Sequence, residues 1–290
     1  MSSTHLASET AIRLGLFLGV FAVMALWEWR RPRRALTVPR LGRWASNLGL
    51  VTLNTLLLRV AFPAAAVGMA LAAEAHAVGL LNQVGLPFWA EAAIAIVALD
   101  LAIYLQHVLF HAVPVLWRLH RVHHADLDFD VTTGARFHPI EILLSMFIKF
   151  AAILVLGPSP EAVVVFEVLL NTTAMFNHAN VRLPERLDRM LRLVVVTPDM
   201  HRVHHSVEDD ETNSNFGFNL PWWDRFFGTY RAQPCGGHEG MTIGIRGYRD
   251  PRQVDRLAGM LALPFRGRVI DYAINRRQWS RGESEVNDAR

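Results

Sequence analysis

A single cysteine, Cys235, stands among the 290 residues. Its isolation excludes an intrachain disulfide framework, an all-cysteine zinc site and a four-cysteine iron–sulfur cluster. Charge is scarce too: 19% of the residues are Asp, Glu, Lys or Arg against 52% hydrophobic, and the mean hydropathy is +0.22. Such a composition excludes disorder and lies above that of ordinary soluble domains, so a membrane protein is expected. The net charge of +3 is too small for a nucleic-acid-sized field, and no nucleic-acid partner is expected. There is no GxGxxG dinucleotide fingerprint, no HExxH metal motif, no low-complexity tract and no whole-domain repeat. What the chain does have is 13 histidines.

Four apolar regions organise the sequence. Leu14 to Trp27 reads as a first transmembrane helix, reaching Trp29 if Glu28 sits at the interface, and stops at the cluster Arg30, Arg31, Arg33, Arg34. A cleaved signal peptide is the competing reading, but the basic start is weak and no small-residue cleavage site precedes the border. The arginines after the apolar run place that end in the cytoplasm by the positive-inside bias, leaving the N-terminus outside. Leu48 to Ala73, interrupted by Arg59 and Pro63, reads as a kinked span, and Pro87 to Gln106, with Asp100 near its inner end, as the next. Ile140 to Leu156 and Glu161 to Phe176 flank Gly157-Pro158-Ser159-Pro160 and read as a helical hairpin that either spans or re-enters. The expected fold is an all-α, multi-pass membrane bundle of about four transmembrane or re-entrant helices with a cytosolic helical cap. Its regions are residues 1–106 (N-terminal transmembrane helices), 107–235 (the histidine region, including the membrane hairpin 140–177) and 236–290 (a cytosolic tail, polar and frayed from about 281). A large soluble helical protein is the alternative, and would rarely supply so many apolar runs with this arginine bias.

The pentapeptide His-Arg-Val-His-His occurs twice, at His120, His123, His124 and at His201, His204, His205. On a helix, i, i+3 and i+4 share a face, so each copy presents three imidazoles as a convergent comb. His107 and His111, spaced i, i+4 at the end of the third apolar region, bring the set to eight, enough for two metal ions. Unmetallated, such a cluster would crowd imidazoles that repel one another on protonation. Imidazole suits iron, zinc, copper and nickel alike, but a structural zinc needs four ligands and usually takes cysteine among them. The surplus of histidine points to a dinuclear redox centre. His138, in Arg136-Phe137-His138-Pro139, and His178, in Asn177-His178-Ala179-Asn180, border the hairpin and are further candidate ligands; His5, His76 and His238 are expected to face solvent. Asp199, Asp126, Asp130 and Asn215, with Glu208, are candidates to fix the imidazole tautomers. Asp199 equally fits a helix start in Thr197-Pro198-Asp199. Trp222 to Phe227 is expected to pack at the membrane interface.

In the order HVLFH (His107, His111), HRVHH, RFHP, NHANVRLP, HRVHH and NLPWWDRFFGTY, from about Trp44 to Tyr230, the chain resembles the fatty acid hydroxylase and sterol desaturase superfamily of integral membrane di-iron oxygenases. The resemblance implies histidine ligation of two irons on the cytosolic side, O₂ as co-substrate, oxidation of an unactivated C–H bond in a lipid, and an external electron donor. It matches the eight box histidines and His178 to ligand positions. Some lipid hydroxylases of the group carry another histidine where this chain has Ala174, and His138 is a candidate replacement. No fused haem domain is seen, so the likeness to fatty acid 2-hydroxylases is partial. Catalytic residues beyond the metal centre are not expected. The function expected is lipid hydroxylation, with desaturation as the alternative outcome. Electrons would arrive from a separate protein docking at Arg118, Arg121, Arg182 or Arg202, unless these contact lipid headgroups. A membrane metal transporter would place its ligands near the midplane on broken helices, not at helix ends. A zinc hydrolase would leave the surplus histidines unexplained.

Overall fold

The computed structural model describes residues 3–267, with side chains from 13 onward. It is all-helical; among the described residues β pairing is limited to isolated bridges such as Pro32 with Val181. The first four helices are α1 (Ser3–Arg30), α2 (Arg40–Ala61), α3 (Ala65–Ala75) and α4 (Phe88–Ala112). Then come α5 (Pro114–His124), α6 (Pro139–Leu156), α7 (Pro160–Asn177), α8 (Glu185–Leu191), α9 (Pro198–His204), α10 (Asp209–Thr212) and α11 (Trp222–Phe226), with short turns of helix up to Phe265.

Helix starts follow from local sequence. A proline, which lacks the N–H that a first turn cannot pair, opens α5, α6, α7 and α9, and the hydroxyls of Ser159 and Thr197 cap α7 and α9. Pro63 separates α2 from α3, as the kinked second region required, although the helix begins at Arg40 and not at Leu48. The third region continues two turns beyond Gln106, so His107 and His111 ride on α4 itself. At the hairpin bend Gly157 adopts φ 67° and ends α6; a Cβ there would lie 2.7 Å from the carbonyl oxygen of Val78, so only glycine fits.

Among the described residues, three helical stretches are long and apolar enough to cross a membrane: Arg40–Ala75, Phe88–Ala112 and Pro139–Leu156. Helices α3, α4, α6 and α7 pack together around Ala66, Ala70, Leu99, Ile153, Val163 and Phe166, and α1 lies along α7. A second core, of Leu50, Val122, Ala125, Leu127, Val254, Met260 and Leu263, joins α2 and α5 to the C-terminal turns.

Several expectations are corrected. Glu28 does not sit at an interface; it is fully buried, and its Oε1 accepts from the backbone N–H of Val131 (2.7 Å) and of Asn180 (2.8 Å), two loops that would otherwise carry unpaired donors. His238 is buried, 3.6 Å from Asp199, because residues 237–240 fold over Arg33 and Arg34; His76 is exposed. Arg121 and Arg202 are buried and face inward onto carbonyl oxygens and Asp199, which removes them as docking residues, whereas Arg182 is exposed. His5 and the polar tail lie outside the residues whose side chains are described.

Candidate metal centre

Among the described residues, nine buried imidazoles form two groups. His107, His111, His120, His124 and His204 make one; His123, His178, His201 and His205 make the other. Within each group the ring nitrogens lie within 4.8 Å of one another. Each pentapeptide serves both groups: His120 and His124 turn to the first while His123, on α5 between them, turns to the second, and on α9 His204 parts from His201 and His205. The comb is therefore a fork, because i+3 and i+4 stand on opposite flanks of the helix stripe.

The tautomers are set by what each ring touches on its outer side. His107 Nδ1–H donates to the carbonyl oxygen of Phe216 (2.8 Å), His204 Nδ1–H to that of Ser214 (2.7 Å) and His178 Nδ1–H to that of Ala174 (2.8 Å). His120 Nδ1–H donates to Glu141 Oε1 at 2.6 Å, with the carboxylate accepting. A neutral imidazole has one N–H, so in these four rings Nε2 carries a lone pair aimed at the other histidines. His204 Nε2 then faces His107 Nε2 at 2.9 Å, and His178 Nε2 faces those of His201 (3.1 Å) and His123 (3.2 Å).

Between His107 and His204, whose Nδ1–H groups are both spent on carbonyls, facing lone pairs repel unless a cation lies among them. Protonation does not supply it: burial pushes His120 and His178 down to about 3, and burial first, neighbouring imidazoles second, hold His123, His124, His201, His204 and His205 well below the usual imidazole range. His120 Nε2 and both ring nitrogens of His205 are buried with no hydrogen-bond partner among the described residues. Neutral imidazoles with converging, unsatisfied nitrogens are what a pair of divalent metal ions requires, and this donor set fits iron.

Aromatic rings close the site against water. Phe137 stacks on His123 (4.5 Å between centroids) and Phe129 on His178 (5.5 Å), while Phe216 meets His107, His111 and His204 edge-on.

The remaining candidates sit elsewhere. His138 caps α6, its Nδ1 accepting from the Ile140 N–H and its Nε2 lying 3.3 Å from the Leu261 carbonyl, outside both groups. Asp126 and Asp130 bind Arg43, with Trp44 Nε1 donating to Asp130 (2.8 Å). Burial alone would raise the Asp126 carboxyl, yet Arg43 and Arg136 hold it below the usual range. Asp199 pairs with Arg33 (3.1 Å) and Arg202, and Glu208 with Arg246 on the surface. Asn215, at φ 51°, clamps the α9 segment by donating to the carbonyl oxygens of Met200 (2.9 Å) and Arg231 (2.8 Å).

Three residues that sequence reasoning missed hold the clustered histidines in place. Glu141 contacts His120 directly; its signal was an acid in the first turn of a largely apolar helix. Asp224 accepts from the N–H of Phe216 (2.7 Å) and of Gly217 (2.8 Å), fixing the loop whose carbonyl orients His107. Asp100 accepts from Trp223 Nε1 (2.9 Å) and from the N–H of Asn219 and Leu220 (3.2 Å each), anchoring the same loop to α4.

Residues 92–229 match the family model described as fatty acid hydroxylase. Ornithine lipid hydroxylase OlsE of Rhizobium tropici is 28% identical over 179 residues, 62% of this chain and 51% of that protein. Human alkylglycerol monooxygenase is 27% identical over 144 residues, 48% of this chain and 30% of its own. Cholesterol 25-hydroxylase of Rattus norvegicus is 27% identical over 152 residues, half of each. The chain thus spans about half or less of the length of these relatives. No solved structure matches it.

Proposed function

We propose, from the premise that the chain belongs to the fatty acid hydroxylase superfamily, that it is a membrane-bound, di-iron, O₂-dependent monooxygenase hydroxylating an unactivated C–H bond of a fatty acyl, sterol or related lipid. The observation that carries this reading is the pair of all-histidine groups, with lone pairs turned inward, at the end of apolar helices. The relatives named above act, by their names, on ornithine lipid, alkylglycerol and cholesterol, each an apolar body with a polar head.

In this reading His107, His111, His120, His124 and His204 hold one iron and His123, His178, His201 and His205 the other. The bound irons supply the one-electron chemistry that activates O₂ toward a C–H bond. One oxygen atom enters the lipid and the other leaves as water, consuming two protons and two electrons; with no dinucleotide fingerprint in the sequence, the electrons come from a separate donor protein. The chain's own work is positional. Phe216, Ser214 and Ala174 carbonyls and Glu141 keep the Nε2 lone pairs turned inward. Phe129, Phe137 and Phe216 exclude water that would quench a reactive oxidant. The apolar helices cross the bilayer more than once, hold the lipid chain, and end with the histidines on the cytoplasmic face, where the arginines after α1 also lie.

The test is metal content of the detergent-purified protein followed by lipid mass spectrometry under ¹⁸O₂ with a reductant. About two irons per chain and a lipid gaining one labelled oxygen are the expected results. A product lighter by two hydrogens would make the enzyme a desaturase, and absence of metal after anaerobic iron reconstitution would overturn the reading.

A further inference from the structure

One surface of the cap is apolar where a soluble face would be charged. On α8 and the turn after it, Leu187 (42% exposed), Met190 (68%) and Leu193 (62%) face out; on α11 and the residue after it so do Trp222 (44%), Phe226 (79%) and Phe227 (48%). The two segments form one face, since Trp222 Nε1 donates to the Leu193 carbonyl oxygen at 2.7 Å. Exposed apolar side chains singly are ordinary, but a contiguous set rimmed by charge marks an interaction surface. Here the exposed charge is mostly basic: Arg186, Arg189 and Arg225 against the single acid Glu185 at the start of α8.

Depth identifies the occupant. The face is bolted to α4, Phe227 stacking on Tyr104 (5.3 Å) and Trp223 bonding Asp100. Asp100 and Tyr104 stand roughly 18 and 24 Å along an apolar helix that begins at Phe88, within the ~30 Å of a bilayer's hydrocarbon. Leu105 and Leu109, on the same helix, are exposed and extend the apolar surface toward the histidine end. A face held at that level meets lipid before it can meet a soluble protein. Aromatic rings with an arginine rim suit the boundary between acyl chains and anionic headgroups.

We infer that residues 185–194 and 222–227 form an interfacial foot that lies in the leaflet on the histidine side, with its apolar side chains among the acyl chains and Arg186, Arg189 and Arg225 on anionic headgroups. The foot gives the cap a second attachment besides the spanning helices and stands independently of any metal.

The experiment removes the native thiol by Cys235→Ser and labels Met190→Cys, Phe226→Cys and, as a control on another exposed part of the cap, Arg252→Cys with an environment-sensitive fluorophore. The full-length protein is reconstituted in vesicles of phosphatidylcholine with 30% phosphatidylglycerol. Labels at 190 and 226 are expected to be at least about three times less accessible to aqueous iodide than that at 252, and to be quenched by doxyl-labelled lipid. Doxyl-phosphatidylglycerol should quench about twice as well as the phosphatidylcholine analogue, a preference lost in Arg186→Gln/Arg189→Gln. Equal iodide access at all three sites overturns the proposal. So does protection without lipid quenching, which would make the face a contact with protein, and so does an absence of preference between the two lipids.

Discussion

His107 and His204, 97 residues apart in sequence, point their Nε2 atoms at each other across 2.9 Å, each with its Nδ1–H already given to a backbone carbonyl. Neither ring has a proton left to bridge that gap, so the contact is favourable only with a cation shared between them. His204→Ala and His107→Ala are each expected to cut bound iron to about one per chain or fewer and to lower turnover at least about 100-fold, while helical content persists. Elemental analysis beside circular dichroism checks this; full iron occupancy in either variant would contradict the ligand assignment.

Glu141 is expected to act through His120. Its carboxylate fixes the tautomer and makes the imidazole a better donor, the kind of support whose loss costs about 10–100-fold in metal affinity or activity. Glu141→Ala should show that loss, and Glu141→Gln, which retains an acceptor oxygen but not the charge, a smaller one. Iron retention during titration with a chelator measures both.

Gly134 makes room for His178. A Cβ at 134 would lie 2.7 Å from the Ala174 carbonyl oxygen and 3.0 Å from His178 Nδ1, the two atoms whose hydrogen bond orients that ring. Gly134→Ala is expected to cost about 1–3 kcal/mol of stability and to deplete the four-histidine group first. Loss of one iron with retention of the other would show it; unchanged iron content would mean that the loop yields at no cost to the ring.

Much of this site was legible in the sequence because convergent imidazoles leave a periodic trace: i, i+3, i+4 spacings on helices named eight of the nine histidines, and His178 was named by its place at the end of the hairpin. How each pentapeptide divides between the groups was not legible, since that depends on the angle at which α5 and α9 face each other. The supports were legible only in part. Backbone carbonyls of Phe216, Ser214 and Ala174 have no residue-type signature, and Glu141 looked like an isolated acid in an apolar run. Asp126 and Asp130 drew attention as acids next to a histidine box, but Arg43, more than 80 residues earlier, binds both. Such a long-range pair is visible only in three dimensions. The apolar regions located the three helical stretches long enough to cross a membrane, but α2 begins eight residues before Leu48 and α4 runs six past Gln106, and the burial of Glu28 depended on two loops reaching back to it.

Arg43 carries an energetic consequence. It is buried against Asp126 and Asp130, so Arg43→Met leaves Asp130 without a cation and Asp126 with Arg136 alone, and should cost about 3–5 kcal/mol, lowering the melting temperature in detergent. Because the Asp126 carboxyl lies below the usual range when folded, its contribution is present above roughly pH 4 and disappears as the pH falls through the folded value. The variant's deficit should therefore shrink in acid, and a deficit independent of pH would place the loss in packing alone.

Asp224 behaves in the opposite sense. Burial pushes its carboxyl up to about 6, despite hydrogen bonds from Thr229 and from the N–H of Gly217 and Phe216. Between roughly pH 4 and 6 the folded chain keeps a proton that the unfolded chain releases, so Asp224 stabilises most below that window, and the advantage, about 3 kcal/mol at most, is lost as the pH rises through 6. Asp224→Asn removes this titration, so the melting temperature of the variant relative to the parent should rise with pH from 4 to 7. The amide oxygen can serve only one of the two backbone donors that the carboxylate serves with two oxygens, so the variant should also loosen residues 216–217 and, through the Phe216 carbonyl, the ring of His107. Differential scanning of both metal-free proteins across that range isolates the titration, and chelator-driven iron loss near pH 7 reads the loosened ligand. A flat difference between the two melting profiles would mean that Asp224 does not titrate in this window, and equal iron loss would mean that the loop holds His107 without it.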